Sequence, residues 1–247
     1  MKKLAAVLMV VTSLLYCSCG KSKVSMAPGG GVMLDLVLIR PGKFLMGSEY
    51  SYDEEGPVHE VRISQPFYLG KYEVTQAQWQ AVMGWNPSEC KGATLPVECV
   101  SWDDCQEFIE KLNSKGIGTF RLPTEAEWEY ACRAGTTDDF AKNLDEIAWY
   151  NENSGDTTHP VGTKKANPWG LYDMHGNVSE FCLDWWYAPY NQGKQTDPIG
   201  LSWSFWFVCR GGSYLSSSKR CLSASRSTLA PWCRRGYQGF RLVMMVQ

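Results

Sequence analysis

The sequence predicts one α+β domain that is rich in loops, with few short helices and short antiparallel strands. Three short helical segments each begin at a capping residue, and 23 glycines with 11 tryptophans in 247 residues indicate many turns held by buried aromatic side chains. A hydrophobic fraction of 44% and a charged fraction of 20% are typical of a folded globular chain. No apolar run of about 20 residues follows the N-terminus, which excludes a multi-span membrane protein.

Residues 1–19 are predicted to be a lipoprotein signal peptide. Two lysines precede an apolar stretch, and Cys19 follows small residues as in a lipobox, although Tyr16 stands where that pattern prefers leucine. We expect Cys19 to be lipidated. The alternatives are a plainly cleaved signal and an uncleaved N-terminal anchor. Residues 20–33, with several glycines, are then predicted to be a flexible tether.

Short strands and three capped helices are predicted in the domain that follows. The strands are expected at Leu34–Ile39, Lys43–Met46, His59–Ser64, Phe67–Leu69 and Phe240–Val246. The helices are expected to begin after Thr75, Ser101 and Thr124, and to end before Gly84, Gly116 and Gly135. Acidic residues at the start of the third helix, Glu125, Glu127 and Glu129, suit the helix dipole. From residue 134 to 239 the sequence has little periodicity, which indicates long loops.

The charges are distributed unevenly along the chain. Residues 20–191 carry 14 Lys and Arg against 25 Asp and Glu, whereas residues 192–247 carry 8 against 1. The basic segment favours an acidic partner. Export and the acidic body disfavour nucleic acid binding.

Eight cysteines follow the signal segment, and export would place them where disulfides can form. Their spacing contains no repeated CxxC and no histidine cluster, so a zinc site is not expected. Cys90 and Cys99 flank a loop with glycine and proline and could form a disulfide across it. The alternative is two buried thiols.

Seven ordered motifs resemble the formylglycine-generating enzyme family, also called the sulfatase-modifying factor family. They are Pro41–Ser48, Tyr72–Thr75, Pro96–Trp102, Arg121–Tyr130, Gly170–Val178, Arg210–Ser213 and Gly239–Leu242. The resemblance covers about residues 34–247 and implies a C-type-lectin-like fold, which fits the loop-rich pattern.

The resemblance also locates the positions at which the family's enzymes carry two reactive cysteines. The first follows the Leu of an Arg-Gly-Gly-Ser-aromatic-Leu motif, where this chain has Ser216, and the second lies five residues later, at Cys221. Serine cannot supply the soft thiolate that copper and oxygen chemistry need. We therefore expect no enzyme. The alternative is a formylglycine-generating-type oxidase or another enzyme of the family.

Two further expectations come from the resemblance. Cys221 is implied to form a disulfide with Cys132, with a buried free thiol as the alternative. Calcium-binding members have an oxygen-only site that corresponds to Asp173, Gly176, Val178 and Glu180. No cofactor is expected to be required, and calcium is the one candidate ion. The alternative is a carboxylate pair that hydrogen-bonds to loop backbone.

The last 56 residues contain no asparagine, although eight occur before them. Residues 203–238 resemble the variable region of proteins diversified by retroelements, of the treponemal variable lipoprotein type. A framework stands at Arg210–Ser213, Cys221, Ser223, Ala224, Arg226, Pro231, Arg234 and Gly239–Arg241. The positions between framework residues, called slots below, are chemically assorted.

The slots and the aromatic cluster before Arg210, formed by Trp203 and Phe205–Phe207, are predicted to bind a ligand. Part of this cluster is expected to be exposed, because a strictly alternating strand would bury only half of it. The predicted ligand-binding residues are Phe205, Trp206, Phe207, Cys209, Tyr214, Leu215, Ser216, Ser217, Lys219, Arg220, Ser225, Ser227, Trp232, Cys233, Arg235 and Tyr237. Aromatic and arginine side chains carry much of the energy of protein interfaces. The sequence thus predicts a monomeric lipoprotein, anchored in the bacterial outer membrane at the cell surface, that binds a protein or glycan on another cell.

Overall fold

The computed structural model describes residues 21–49, 52–138 and 143–246. Within these residues the strands form a five-stranded, a four-stranded and a three-stranded sheet. The signal segment and Cys19 lie outside these residues. The strands are β1 (Lys23–Gly29), β2 (Val32–Ile39), β3 (Gly42–Met46), β4 (His59–Ile63), β5 (Phe67–Gly70), β6 (Phe120–Arg121), β7 (Ser179–Trp185), β8 (Gln195–Thr196), β9 (Phe207–Arg210), β10 (Arg226–Leu229), β11 (Gln238–Gly239) and β12 (Val243–Met245).

The sheets are mostly antiparallel and have the orders β1-β2-β5-β12-β6, β10-β9-β7-β11 and β3-β4-β8. Parallel pairing occurs between β11 and β7 and between β4 and β8. The C-terminal segment supplies β9, β10 and β11, which flank β7 on both sides. The predicted α+β class with short strands is confirmed.

The first strand corrects the predicted tether. Lys23–Gly29 form β1, which pairs with β2 along most of its length. Val24 and Met26 pack on the hydrophobic core, because alternate residues of an edge strand face the same side of the sheet. The prediction of a flexible tether over residues 20–33 is therefore wrong for β1.

The helices are α1 (Gln76–Met83), α2 (Trp102–Asn113), α3 (Glu125–Arg133) and the single turn α4 (Leu144–Ile147). The first three begin with complete capping boxes, at Thr75 with Gln78, Ser101 with Asp104, and Thr124 with Glu127. The predicted starts are thus confirmed. No helix within the described part of the chain is long and apolar enough to cross a membrane.

Helices α1 and α2 pack on each other, with α1 against β1 and β2 and α2 against β6 of the five-stranded sheet. Helix α3 contacts β3 and β4 on one side and β7 and β9 on the other, and all nine of its residues are buried. Its buried residues include Glu125 and Glu129, whose charges require partners. Arg133 of the same helix pairs with Glu129 at 2.8 Å, and the other cationic partners, Arg210 and Arg226, come from the C-terminal segment.

Candidate ligand-binding face of the C-terminal segment

Arg210 attaches the C-terminal segment to helix α3. Its guanidinium donates hydrogen bonds to Glu129 and to the carbonyls of Ser223, Ala224 and Ser225, the last three at 3.0, 2.6 and 2.7 Å. Burial alone lowers the pKa of Arg210, but the Glu129 carboxylate raises it, so the guanidinium stays charged. One buried side chain therefore fixes the path of the loop that precedes β10.

Arg226 makes a second buried connection, to Glu125 of α3. Its two hydrogen bonds to the carboxylate measure 2.6 and 2.8 Å, and its guanidinium lies over the rings of Trp186 and Tyr190, 4.2 and 4.0 Å from their centroids. Burial raises the pKa of Glu125, but the charges of Arg226 and Arg210, together with hydrogen bonds from Arg226 and Tyr190, lower the pKa below its ordinary value. This geometry is a bidentate, desolvated ion pair.

Arg241 forms a third such pair, with Glu180 of β7, at 2.6 and 2.5 Å. Trp128 of α3 donates to the same carboxylate at 2.7 Å. Arg234, although more exposed, binds Asp104 of α2 through two hydrogen bonds of 2.7 Å. The positive charges of the basic tail therefore largely neutralise acidic side chains of the body within the protein. It gives little support to the predicted preference for an acidic partner.

Most predicted ligand-binding residues are more exposed than the framework residues, among which Arg234 is exposed and Pro231 is half-buried. Eight predicted ligand-binding residues are exposed: Phe205, Trp206, Leu215, Ser217, Lys219, Ser227, Trp232 and Arg235. Four are half-buried: Ser216, Arg220, Cys233 and Tyr237. These twelve form what we call the variable face. Their contact with a ligand stays a prediction.

Four predicted ligand-binding residues are buried instead, namely Phe207, Cys209, Tyr214 and Ser225. Phe207 is 2% exposed and stacks between Trp102 and Trp185, with ring centroids 3.9 and 3.8 Å away. Phe207 and Tyr214 face the core from β9 and its neighbouring turn, which leaves these two side chains inaccessible to a ligand, whereas Cys209 and Ser225, although buried, line a groove in the variable face.

A groove of about 300 Å³ lies within the variable face. Its floor is the four-stranded sheet, where Ser179, Cys209 and Ser227 line it from β7, β9 and β10. Leu215, Ser216, Arg220 and Tyr237 also line it. A volume of this size suits one or two side chains or a single sugar ring.

Exposed aromatic side chains lie at one end of the same sheet. Trp203, Phe205 and Trp206 are 62%, 61% and 48% exposed, and their rings contact each other in sequence, with centroids 4.8 and 5.9 Å apart. Phe207 pairs with Leu229, so the segment before β9 and the segment after β10, which carries Trp232, leave the sheet at the same end. The expectation that part of the aromatic cluster is exposed is confirmed.

The positions of the family's reactive cysteines do not form a thiol pair here. Ser216 Oγ accepts a hydrogen bond from the Ser213 amide at 3.0 Å and lies 3.2 Å from the Ser213 hydroxyl. Cys221 is fully buried, and burial raises the pKa of its thiol to about 12. A buried, protonated thiol is a poor nucleophile and a poor metal ligand.

Cys132 and Cys221 do not form the predicted disulfide, since all eight cysteines in the described ranges are free. Cys132 Sγ instead contacts His175 Nε2 and Ser223 Oγ, each at 3.6 Å. Cys90 and Cys99 are likewise free and half-buried. Cys209 and Cys233 are unpaired as well.

The residues predicted to hold calcium lie together but have other partners. Both Glu180 oxygens accept hydrogen bonds from Arg241, and Asp173 Oδ2 accepts one from the Gly162 amide at 2.7 Å. In the part of the chain that the structure describes, no group of three His, Cys, Asp or Glu side chains is arranged to hold a metal ion. Arg241 therefore neutralises Glu180, whereas the buried Asp173 Oδ1 has no hydrogen-bond partner among the described residues, and calcium binding at this position stays a prediction.

Comparisons with known proteins agree with this architecture. Residues 30–246 match the family model described as "Sulfatase-modifying factor enzyme 1-like domain". The chain is 34% identical to "Chaperone protein LppX" of Paenibacillus barcinonensis over 83% of this chain and 87% of that protein. It is 28% identical to "Formylglycine-generating enzyme" of Thermomonospora curvata over 83% of this chain and 92% of that protein.

A solved structure shows the same fold along nearly the whole domain. "Treponema denticola variable protein 1" superposes with a TM-score of 0.85 and 30% identity, over 92% of this chain and all of that chain. The C-type-lectin-like fold of these proteins is thus the fold of this chain.

Proposed function

This chain belongs to the sulfatase-modifying factor enzyme 1-like family, and we propose that it is a non-catalytic member whose variable face binds a ligand at the cell surface. In this proposal the slots differ between copies of the gene, whereas the framework is constant. The ligand is a protein or glycan of another cell. The lipid at Cys19 holds the protein on the outer membrane.

The separation of slots from framework carries the proposal. Framework residues Arg210, Cys221, Ala224, Arg226 and Arg241 are all at most 1% exposed. Eight slot or aromatic-cluster residues are exposed on the same segment. Buried framework contacts fix the backbone, so substitutions at exposed slots change the surface while costing little stability. The similarity to a protein named as variable supports the same interpretation.

The chemistry of the site supports a binding role over an oxidase role. Ser216 stands at the first reactive position, and Cys221 at the second is buried with a raised pKa. The alternative is favoured by the relatives named as formylglycine-generating enzymes. Loading the protein with copper and assaying oxidation of a sulfatase-motif peptide tests it. Turnover of that peptide would favour the oxidase over the proposed role.

Binding by the variable face can be tested with a slot variant. Leu215, Ser217, Lys219, Trp232 and Arg235 are replaced together by Asn in the full-length chain. The probes are a printed glycan array and a phage-displayed library of random peptides. We expect wild type to retain members of at least one probe set and the slot variant to lose them at least tenfold. Equal binding by both proteins would contradict the proposal.

A control variant carries exposed substitutions away from this face. Lys43, Leu45 and Met33 are exposed on β2 and β3, in other sheets, and are replaced by Asn. We expect it to bind as wild type does. The anchor is tested separately with Cys19→Ala. This variant should leave the membrane fraction, and unchanged fractionation would contradict lipidation at Cys19.

A further inference from the structure

Strand β10 is the edge strand of the four-stranded sheet, and it lies within the variable face. Two hydrogen bonds establish which backbone groups point toward its neighbour. Ser179 Oγ donates to the Arg210 carbonyl at 3.4 Å on the β7 side of β9, and Ser227 Oγ donates to the Cys209 carbonyl at 3.3 Å on the β10 side. In a strand, the N–H and C=O of one residue point to one edge and those of the next residue point to the other edge. The backbone groups of Cys209 and Ser227 therefore lie in the ladder between β9 and β10.

The alternate residues of β10, Arg226 and Thr228, therefore direct their backbone groups away from the sheet. The guanidinium of Arg220 donates to the Arg226 carbonyl at 3.3 Å from that side, which agrees with this direction. Within the described ranges, no hydrogen bond outside the β9–β10 ladder involves the Thr228 amide or carbonyl. Thr228 thus presents one donor and one acceptor along the open edge.

We infer that the ligand of the variable face is an extended polypeptide segment that adds a strand to β10 and pairs with the backbone of Thr228. The inference rests on the proposed function, because it places the ligand on the variable face. A paired N–H and C=O on a strand edge matches the regular spacing of a peptide backbone. A glycan has hydroxyl groups without that alternating pattern.

The surroundings of Thr228 fit such a segment. Side chains of an added strand point alternately to the two faces of the sheet. On the Ser227 side they meet the groove of about 300 Å³, where Leu215 and Tyr237 offer apolar walls. The half-exposed Arg220, which also lies 4.0 Å from Glu54 and over the Tyr52 ring, contributes a positive charge there. Beyond Leu229 the chain turns, with the Cys233 amide donating to the Ala230 carbonyl at 3.0 Å, and this turn carries the exposed ring of Trp232.

Strand addition also explains how a face with changing side chains can keep one class of ligand. Backbone hydrogen bonds do not depend on the side chain at Thr228 or at any slot. The ion pairs of Arg210 and Arg226 with α3 hold β9 and β10 in place. Backbone pairing then supplies constant affinity for an extended chain, and the slots select its sequence.

The test starts from peptides of 12 residues selected from a random phage-displayed library against the full-length protein. Thr228→Pro removes the outward N–H, and Thr228→Val keeps it while removing the hydroxyl. Thermal unfolding shows whether each variant is folded. We expect Thr228→Pro to weaken a selected peptide at least tenfold relative to Thr228→Val.

A second measurement avoids any change to the protein. Each backbone N–H of the selected peptide is methylated in turn, and binding to wild type is measured. Strand addition predicts losses of at least tenfold at alternate positions and less than threefold at those between. Uniform small effects, or a library that yields no binding peptide, would overturn the inference. Peptide binding that depends on the slots but not on Thr228 or on methylation would overturn the inference alone and leave the proposed function standing.

Discussion

The guanidinium of Arg226 donates two hydrogen bonds to the carboxylate of Glu125, at 2.6 and 2.8 Å, and both side chains are buried. The pair joins the edge strand of the variable face to the first turn of a fully buried helix. Arg210 with Glu129 and Arg241 with Glu180 repeat this arrangement. The basic residues of the tail therefore serve mainly to attach it to the body.

Removal of Arg226 should destabilise the protein strongly. Arg226→Ala leaves the buried carboxylate of Glu125 without its cation, and breaking such a pair costs about 3–5 kcal/mol. Lys219→Ala, at an exposed slot, is the matched control and should change the free energy of unfolding by less than about 0.5 kcal/mol. Urea denaturation measures both. Similar effects for the two variants would contradict the division into framework and slot.

Replacement of the adjacent residues Trp206 and Phe207 should lower the free energy of unfolding to very different extents. Phe207 stacks between two indole rings in the core, so Phe207→Ala should lower the free energy of unfolding by about 3–5 kcal/mol. Trp206 is 48% exposed, and Trp206→Ala should cost much less. Urea denaturation of the two variants side by side checks this. A larger loss for Trp206→Ala would show that the aromatic segment packs differently.

The pH dependence of stability should report on Asp184. Burial raises its pKa to about 7, although its oxygens accept hydrogen bonds from the amides of Glu125 and Gly200 at 2.7 and 2.6 Å. The folded state then holds the proton more tightly than the unfolded state, whose carboxyl has a pKa near 3.8. The contribution of Asp184 to stability is greatest below pH 4 and falls as pH rises toward 7.

Asp184→Asn removes this titration and is the reference. The free energy of unfolding of wild type, minus that of Asp184→Asn, should decrease between pH 4 and 7 by at most about 1.4 kcal/mol per pH unit. Urea denaturation at several pH values measures the difference. A constant or rising difference would contradict a raised pKa for Asp184.

The thiols give an independent check on the core. Cys105, Cys132, Cys182, Cys209 and Cys221 are buried, whereas Cys90, Cys99 and Cys233 are half-buried. Iodoacetamide should alkylate the three half-buried thiols first in the native protein and all eight after unfolding without reductant. Mass spectrometry of the proteolytic peptides shows the order in which the thiols are alkylated. A cross-linked peptide pair containing Cys132 and Cys221 would restore the disulfide that the family resemblance implied.

Local signals in the sequence predicted the helices well and the ion pairs poorly. The capping boxes at Thr75, Ser101 and Thr124 depend on residues three apart, so they can be read from the chain alone. The sequence indicates only the helix dipole as a partner for Glu125 and Glu129, because their partners Arg226 and Arg210 lie about 80 to 100 residues away. Spacing along the chain does not reveal such pairs.

The sequence predicts the general location of the site but not the burial of each of its side chains. The division into framework and slots came from a family resemblance, and the structure places most of the slots at the surface. The sequence does not reveal the burial of Phe207 and Tyr214, because that burial depends on which face of β9 and its neighbouring turns packs on the core. The sequence predicts a tether in place of strand β1, because the glycine-containing end of this strand is typical of a linker.

If slots vary while the framework is fixed, sequencing of a natural population shows it most directly. Long reads spanning codons 203–238 from a natural population of cells give the variation at each position. We expect differences concentrated at the codons of Leu215, Ser217, Lys219, Trp232 and Arg235, with Arg210, Arg226 and Arg241 invariant. Uniform codons throughout, or variation spread equally over both classes, would contradict it.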